Sequence, residues 1–246
     1  MFEQLDREGF VVLKGFFPDS LRQRLIDRVE ELYAREGDSA GSEFRAEPGT
    51  RRLANLVDKG EIFREVWANP EILGYIGHLL GPRFKLSSLN ARSANPNQQG
   101  HQPLHVDQGL LPDQTGPLVA NVVWMLDDFT PENGAMRAVP GTHRSGRRPD
   151  DSHPDEVLVT GKAGTVCIMN AHLWHGGTAN RTDQPRRAIH SFYCRFDVPQ
   201  QQYQKRLLRS EVQAALPDAL RGLLALDDPL NDELCARVTN QSGFLK

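Results

Sequence analysis

The sequence predicts a mainly β fold with flanking helices, built as a sandwich or barrel, and three observations predict it. Between Phe84 and Phe196, six short apolar runs alternate with Gly, Pro, Asn and Asp turn signals. That spacing marks paired strands rather than alternating β-α-β units. On either side of this region, apolar residues recur at helical spacing instead. The length of 246 residues suffices for one large core that needs no disulfide or metal to hold it.

Taken in order, "GFVVLKGFF" (Gly9–Phe17) is short, β-branched and aromatic, and reads as a strand. "PDSLRQRLIDRVEELYAREG" follows as a helix, with Leu21, Leu25, Val29 and Leu32 on one stripe. Ser20 and Gln23 have capping-box spacing at its start, and Gly37 is a stop signal. Residues 38–52 are small, charged and Gly/Pro-bearing, which predicts a loop. A second helical region covers Glu61–Leu80 and breaks at Asn69-Pro70, where Asn caps and Pro opens a new first turn.

The six strand-like runs lie at 84–91, 118–126, 135–141, 156–161, 164–171 and 186–196. The tail returns to helix at 204–216 and 217–226, expected to pack outside the sheets. With no repeat, linker or low-complexity segment, the expectation is one domain over 1–246: N-terminal helices at 18–80, a β core at 84–197 and C-terminal helices at 200–246. Two polar, breaker-rich loops, 91–103 and 144–156, are long for a compact domain, a mark of functional loops. Both, with Asp113 and Gln114, are expected to shape substrate choice.

A formal net charge of -3 gives no reason to expect nucleic acid or an anionic membrane as partner. No stretch approaches the roughly 20 apolar residues that span a bilayer. The N-terminus carries early acids and no apolar signal core, so a cytoplasmic protein is expected. Cys167, Cys194 and Cys235 are too few and too scattered for a disulfide framework or a zinc ribbon, and the two that lie in apolar runs read as buried, inert thiols.

"HQPLHVDQG" places His105 and Asp107 one residue apart. On a strand, alternate residues share a face, so an imidazole and a carboxylate stand side by side. A further His from a neighbouring strand would complete one face of an octahedron, leaving three positions open as non-haem Fe(II) oxygen chemistry requires. "SHPDEV" repeats the spacing with His153 and Asp155. That pair flanks Pro154 in a charged, breaker-rich run and reads as solvated loop. The later His residues that could face back across the sandwich are His172, His175 and His190.

The H-x-D pair, then "WMLDDFTPENGAMRAVPGTHR", then "WHGGTANRTDQPRRA" together resemble the phytanoyl-CoA dioxygenase family of Fe(II)/2-oxoglutarate oxygenases, from about Gly9 to Phe196. The resemblance implies a double-stranded β-helix core of the jelly-roll, cupin-like kind. It selects His175 as the distal ligand, because His175, Gly177, Asn180 and Thr182 match H-x-G-x-x-N-x-[ST]. The implied metal and catalytic set is therefore His105, Asp107 and His175, with His172 a satisfied or exposed histidine near the site. An arginine eleven residues beyond the distal histidine is Arg186, implied to clamp the far carboxylate of 2-oxoglutarate through paired hydrogen bonds.

Arg187 should face the other way. Thr182, Gln102, Asn121 and Asn90 are implied co-substrate contacts, each with an ordinary turn or strand-edge role as the alternative. Trp124 and His190 are cavity candidates, Trp124 equally a core residue, and His143 follows a Pro-Gly turn. The implied reaction uses Fe(II), 2-oxoglutarate and O2, oxidises an unactivated C–H bond of a small-molecule metabolite or natural-product intermediate, and releases succinate and CO2. Relatives that halogenate lack the carboxylate ligand, so Asp107 argues for hydroxylation or another oxidation. Two other readings stay open: a cupin-like protein that binds metal or a small molecule without turnover, and a zinc hydrolase, which would leave Arg186 unexplained.

Overall fold

Nine strands pair into two antiparallel sheets in the computed structural model, which describes residues 1–44, 49–98, 100–238 and 245. Residues 45–48, from the expected 38–52 loop, 99, from the expected 91–103 loop, and 239–244 and 246, from the expected helical tail, lie outside the described residues. The strands are β1 (Phe10–Leu13), β2 (Thr50–Leu53), β3 (Phe84–Ala94), β4 (Val119–Met125) and β5 (Met136–Val139). They continue with β6 (Val157–Val159), β7 (Val166–Asn170), β8 (Trp174–Gly177) and β9 (Arg186–Arg195). The large sheet runs β1-β7-β4-β9-β3-β2 and the small one β6-β5-β8. From β4 onward the chain passes between the two sheets, which is the double-stranded β-helix expected from the sequence.

Two apolar layers explain the strand composition. Val123, Met125, Met169 and Ala188 of the large sheet meet Met136, Ala138 and Val159 of the small one in an inner layer. On its outer face, Val122, Trp124, Ile168, Ile189 and Tyr193 pack against the helices. β4 is covered on both faces and buried along its whole length, so its sequence reads as a continuous apolar run rather than an alternating one.

The outer layer is supplied by α2 (Asp19–Glu36) and α4 (Pro70–Leu80). Leu25, Ile26, Val29, Leu32 and Tyr33 form the buried stripe of α2, and Gly37 ends it. The capping box is not formed. Helix starts at Asp19 with Pro18 in the cap position, so Ser20 already lies inside the first turn. Asn69 does cap α4, its side chain accepting from the backbone of Glu71 and Ile72. The four-residue α3 (Arg64–Trp67) precedes that break.

Three elements depart from the sequence expectation. A short helix, α1 (Phe2–Glu8), precedes β1; only its Leu5 is buried, too little to give a periodic signal. β2 falls inside the expected 38–52 loop and within the expected N-terminal helices, because its "TRRL" carries no apolar alternation until Leu53. The C-terminal tail breaks into α5 (Gln204–Leu207), α6 (Ser210–Ala214), α7 (Asp218–Leu223) and α8 (Pro229–Arg237). The break at Leu208 and Arg209 is extended, and Asp58 accepts from the backbone and side chain of Arg209 there. Leu208, Leu216, Leu224 and Leu226 join the outer apolar layer, as expected for helices outside the sheets. Among the described residues, no helix is long and apolar enough to cross a membrane.

Candidate active site

The site forms where the segment before β4 crosses β8. His105 and His175 exchange backbone hydrogen bonds of 2.9 and 3.1 Å as an isolated antiparallel bridge. Gly176 permits this approach, since a Cβ there would sit 2.8 Å from the Gln102 carbonyl oxygen. His105–Asp107 is thus one bridge followed by a turn rather than the end of a regular strand. Asp107 opens that turn, its N–H donating to the Ala171 carbonyl at 3.0 Å. Gln108 takes φ 54 and Gly109 φ 64, so the chain doubles back just after the carboxylate. A non-glycine residue in the left-handed region is uncommon, and functional sites are where such conformations concentrate.

Both imidazoles are aimed by the same device. The Nδ1 of His105 lies 3.1 Å from the Pro103 carbonyl, and that of His175 lies 2.8 Å from the Leu173 carbonyl. Each ring donates from Nδ1 to its carbonyl, which leaves Nε2 as the free lone pair. The two Nε2 atoms sit 3.9 and 3.6 Å from Asp107 Oδ1. One ligand atom from each of the three residues lies within 4.8 Å of the others, the one such group of three found among the described residues. Cis ligands held by bonds of about 2.1 Å stand about 3 Å apart, so the ligand atoms must draw together from separations of up to 4.8 Å to hold one ion. Two imidazoles and a carboxylate on one face are the donor set of the facial triad.

Asn121 on β4 donates from Nδ2 to the second Asp107 oxygen at 3.0 Å. Burial opposes charge on Asp107, but the positive fields of His175 and His105 and the Asn121 bond outweigh it, and the carboxyl is held well below its usual range. Burial, then the charge of His175, lowers His105 to about 4. Burial also works against a charged His175, yet Asp107 overcomes it and raises that ring above its ordinary value. A metal binds the neutral imidazole, so it competes with a proton for His175.

The triad borders a cavity of about 210 Å³ between the sheets. Gln102, Asn90, Asn121, Arg186 and His190 all line it. Arg186 is 3% exposed, stacks its guanidinium 4.2 Å from the Phe129 ring centre and donates to the Gly134 carbonyl at 2.7 Å. Arg187 points the other way, onto Asp127 and Glu30. Gln102 accepts from the Gly177 N–H at 3.2 Å, and Asn90 bonds Ser88 and Gln202. His190 is lowered to about 3 by burial and by the charges of Arg92 and Arg186, so it is a neutral ring. Its Nε2, with Asn121 Oδ1 and Gln108 Nε2, is buried without a hydrogen-bond partner among the described residues. A polar molecule in this cavity would find a donor at Gln108 Nε2 and an acceptor at Asn121 Oδ1.

Several sequence candidates stand apart. Thr182 does not line the cavity; its hydroxyl serves the local turn, on Asn180 Oδ1 at 2.7 Å and the Gln184 carbonyl at 3.2 Å. Trp124 is fully buried in the outer layer with its Nε1 on Ser191. His172 accepts from the Leu118 N–H and has its Nδ1 2.9 Å from the Leu110 carbonyl, a satisfied core histidine. His143 packs under α1 and bonds the Asp6 carbonyl. Asp113 pairs with Arg195 and Gln114 is exposed, neither lining the cavity. His153 and Asp155 stand 3.8 Å apart with the Asp155 side chain 82% exposed, and no third ligand joins them among the described residues. Sequence reading missed Arg52 and Arg92, which do line the cavity. The signal was present in β3, where Ser88, Asn90 and Arg92 alternate as a polar stripe.

Comparison with known proteins places the chain in a family. Residues 5–188 match the family description "Phytanoyl-CoA dioxygenase (PhyH)". The dioxygenase af480 of Aspergillus fumigatus is 30% identical over 240 residues, covering 90% of this chain and 75% of that protein. The iron/alpha-ketoglutarate-dependent dioxygenase okaE of Penicillium ochrochloron is 24% identical over 74% of this chain and 65% of its own length. Among solved structures, HygX from Streptomyces hygroscopicus with nickel and 2-oxoglutarate bound superposes with a TM-score of 0.66 at 18% identity, over 80% of this chain and 88% of its own. That likeness shows the shared fold. By its match over three quarters of its length, and by the 30% identity to a dioxygenase, this chain belongs to the phytanoyl-CoA dioxygenase family.

Proposed function

We propose that the chain, acting as one unit over residues 1–246, is an Fe(II)- and 2-oxoglutarate-dependent dioxygenase that oxidises an unactivated C–H bond of a small organic molecule. His105, Asp107 and His175 hold the metal. The observation that carries this reading is the shared aim of the two Nε2 lone pairs at Asp107, each ring fixed through its Nδ1. When bound, iron and 2-oxoglutarate with O2 supply the oxidising power, releasing succinate and CO2. The chain's own groups do the rest. Arg186 receives the distal carboxylate of the co-substrate, its planar guanidinium held in place against Phe129. Asn121 orients Asp107, and Gln102, Asn90 and His190 line the co-substrate's side of the cavity. The apolar walls given by Val123, Phe129, Met136 and Met169 keep water from the reacting centre.

The three buried, unlinked cysteines suit a reducing compartment such as the cytoplasm. The test is to add Fe(II) and 2-oxoglutarate without oxygen and look for the metal-to-ligand charge-transfer absorption of the chelate. Under air the same mixture should release succinate. Wild type should show both, and His175→Ala neither. A wild-type protein with no such absorption sinks the proposal.

A further inference from the structure

We infer that residues 144–156 form a strap that holds the three metal-ligating segments at their spacing, with Arg137 as the positioning residue that fastens it. This rests on the function proposed above, because it takes His105, Asp107 and His175 as the ligands.

Although the sequence marks this segment as a loop that shapes substrate choice, none of its residues is among those lining the metal cavity or the larger cavity of about 590 Å³ beside it. It lies instead across the outer face of the small sheet. Met136 and Ala138 of β5 belong to the inner layer, so Arg137 between them points out of the other side, where it is still only 7% exposed. One terminal nitrogen of its guanidinium donates to both Glu156 carboxylate oxygens, at 2.9 and 2.8 Å. The other donates to the Asp151 carbonyl at 3.2 Å and to the Gln102 carbonyl at 2.8 Å. Glu156 also accepts from the His153 N–H at 2.8 Å, which closes the end of the strap on itself. A planar fork can serve a carboxylate and two carbonyls together, whereas an ammonium is a single point.

Through these bonds the strap reaches every segment that carries a ligand. Gln102 lies three residues before His105, and its side chain accepts from the Gly177 N–H inside the site. Arg148 donates to the carbonyl of Gly109, two residues after Asp107, at 3.2 Å. The Arg147 carbonyl accepts from Nε1 of Trp174, the residue before His175, at 3.0 Å. The His153 ring meets the Trp174 ring edge-on at 5.7 Å, so the discarded His-x-Asp pair has a place in the strap. The ligand segments have little regular pairing of their own. Residues 101–109 join β8 through an isolated bridge at His105 rather than a ladder. Gln108 and Gly109 hold left-handed conformations, which for a non-glycine residue persist only where the surroundings enforce them. Ligands already held near their bound spacing lose less freedom when the metal enters.

The test compares Glu156→Gln, Arg137→Gln, the double variant and Arg137→Lys with wild type. Asp155→Ala, a change within the strap that breaks none of these bonds, serves as control and should match wild type. Trypsin cleavage after Arg147 in the metal-free proteins reads the strap. Anaerobic Co(II) titration reads the site, through affinity and through the visible absorption that reports ligand geometry. Loss of an outer partner of a metal ligand costs about 10- to 100-fold in affinity, and the strap acts one step further out. Glu156→Gln and Arg137→Gln should therefore weaken Co(II) binding about tenfold and alter its absorption. Both should speed cleavage about tenfold, as the released strap becomes more populated. The double variant should be no worse than Arg137→Gln, because both changes undo one fastening. Arg137→Lys should keep part of the affinity.

A merely structural role would lower the melting temperature of the metal-free variants and leave Co(II) affinity of the folded protein within about twofold of wild type; that result overturns the inference. So does cleavage after Arg147 at the wild-type rate in both Glu156→Gln and Arg137→Gln. Wild type that binds no Co(II) would instead indict the proposed function, which normal wild-type binding with unaffected variants leaves standing.

Discussion

Replacing Asn121 by alanine removes one hydrogen bond and nothing else that touches the metal ligands. Its Nδ2 reaches Asp107 Oδ2 at 3.0 Å, and the asparagine is 6% exposed. A hydrogen bond to a charged, buried acceptor contributes about 1.5–3 kcal/mol, which is roughly 10- to 150-fold in an equilibrium constant. Loss of an outer partner of a metal ligand costs about 10- to 100-fold in metal affinity by a separate route. The cavity beside Asp107 admits water, which can replace part of the lost bond and favours the low end. Asn121→Ala is therefore expected to weaken Fe(II) or Co(II) binding about tenfold. The assay is an anaerobic equilibrium titration of each metal, with Asp155→Ala as a control for an acid outside the site. Affinity within about twofold of wild type, in a variant whose thermal midpoint is unchanged, would refute the role given to Asn121.

Other outcomes follow from the same contacts. Arg186→Gln should raise the 2-oxoglutarate concentration needed for half-maximal charge-transfer absorption at least tenfold, by loss of a charge-assisted pair. Arg187→Gln should leave it near normal and lower the melting temperature instead, through Asp127 and Glu30. His172→Ala strands the Leu118 N–H and the Leu110 carbonyl, so it should cost about 2–4 kcal/mol in urea unfolding while metal binding survives. In acid, the hydrogen bonds from Arg195 hold the Asp113 and Asp197 carboxyls below their ordinary 3.8. A depressed folded pKa means a stabilising contribution that is full above that ordinary value and is lost as pH falls through the folded one. Wild type should thus lose stability more steeply than Arg195→Gln below about pH 4, and parallel acid limbs would count against this pairing.

Much of this was legible in the sequence, and the physics says which parts. The strands of the core announced themselves because apolar runs bounded by turn residues have few alternative uses. Asn69-Pro70 was readable as a helix start because its side chain makes a local, stereotyped bond. The same signal at Asp228-Pro229 opens α8, which sequence reading passed over. Ser20 and Gln23 had capping spacing but lost to Pro18, which sets the helix start two residues earlier.

The metal pair at His105 and Asp107 was separable from His153 and Asp155 by context alone, yet the choice of His175 over His172 and His190 needed the family pattern. A backbone bridge joins residue 105 to residue 175 and brings His175 beside Asp107, and no local rule encodes that bridge. Arg52 and Arg92 were missed for a related reason. A charged residue on a strand reads as a solvent-facing position, and nothing local reveals that this face of β2 and β3 turns inward to a cavity.

The most direct test of the account is metal stoichiometry by anaerobic Fe(II) titration across a set of single variants. The account predicts one tightly bound ion per chain in wild type, His153→Ala, Asp155→Ala and His172→Ala, and none in His105→Ala, Asp107→Ala or His175→Ala. Retention of the ion by folded His105→Ala, Asp107→Ala and His175→Ala, or its loss on changing His153 or Asp155, would contradict it.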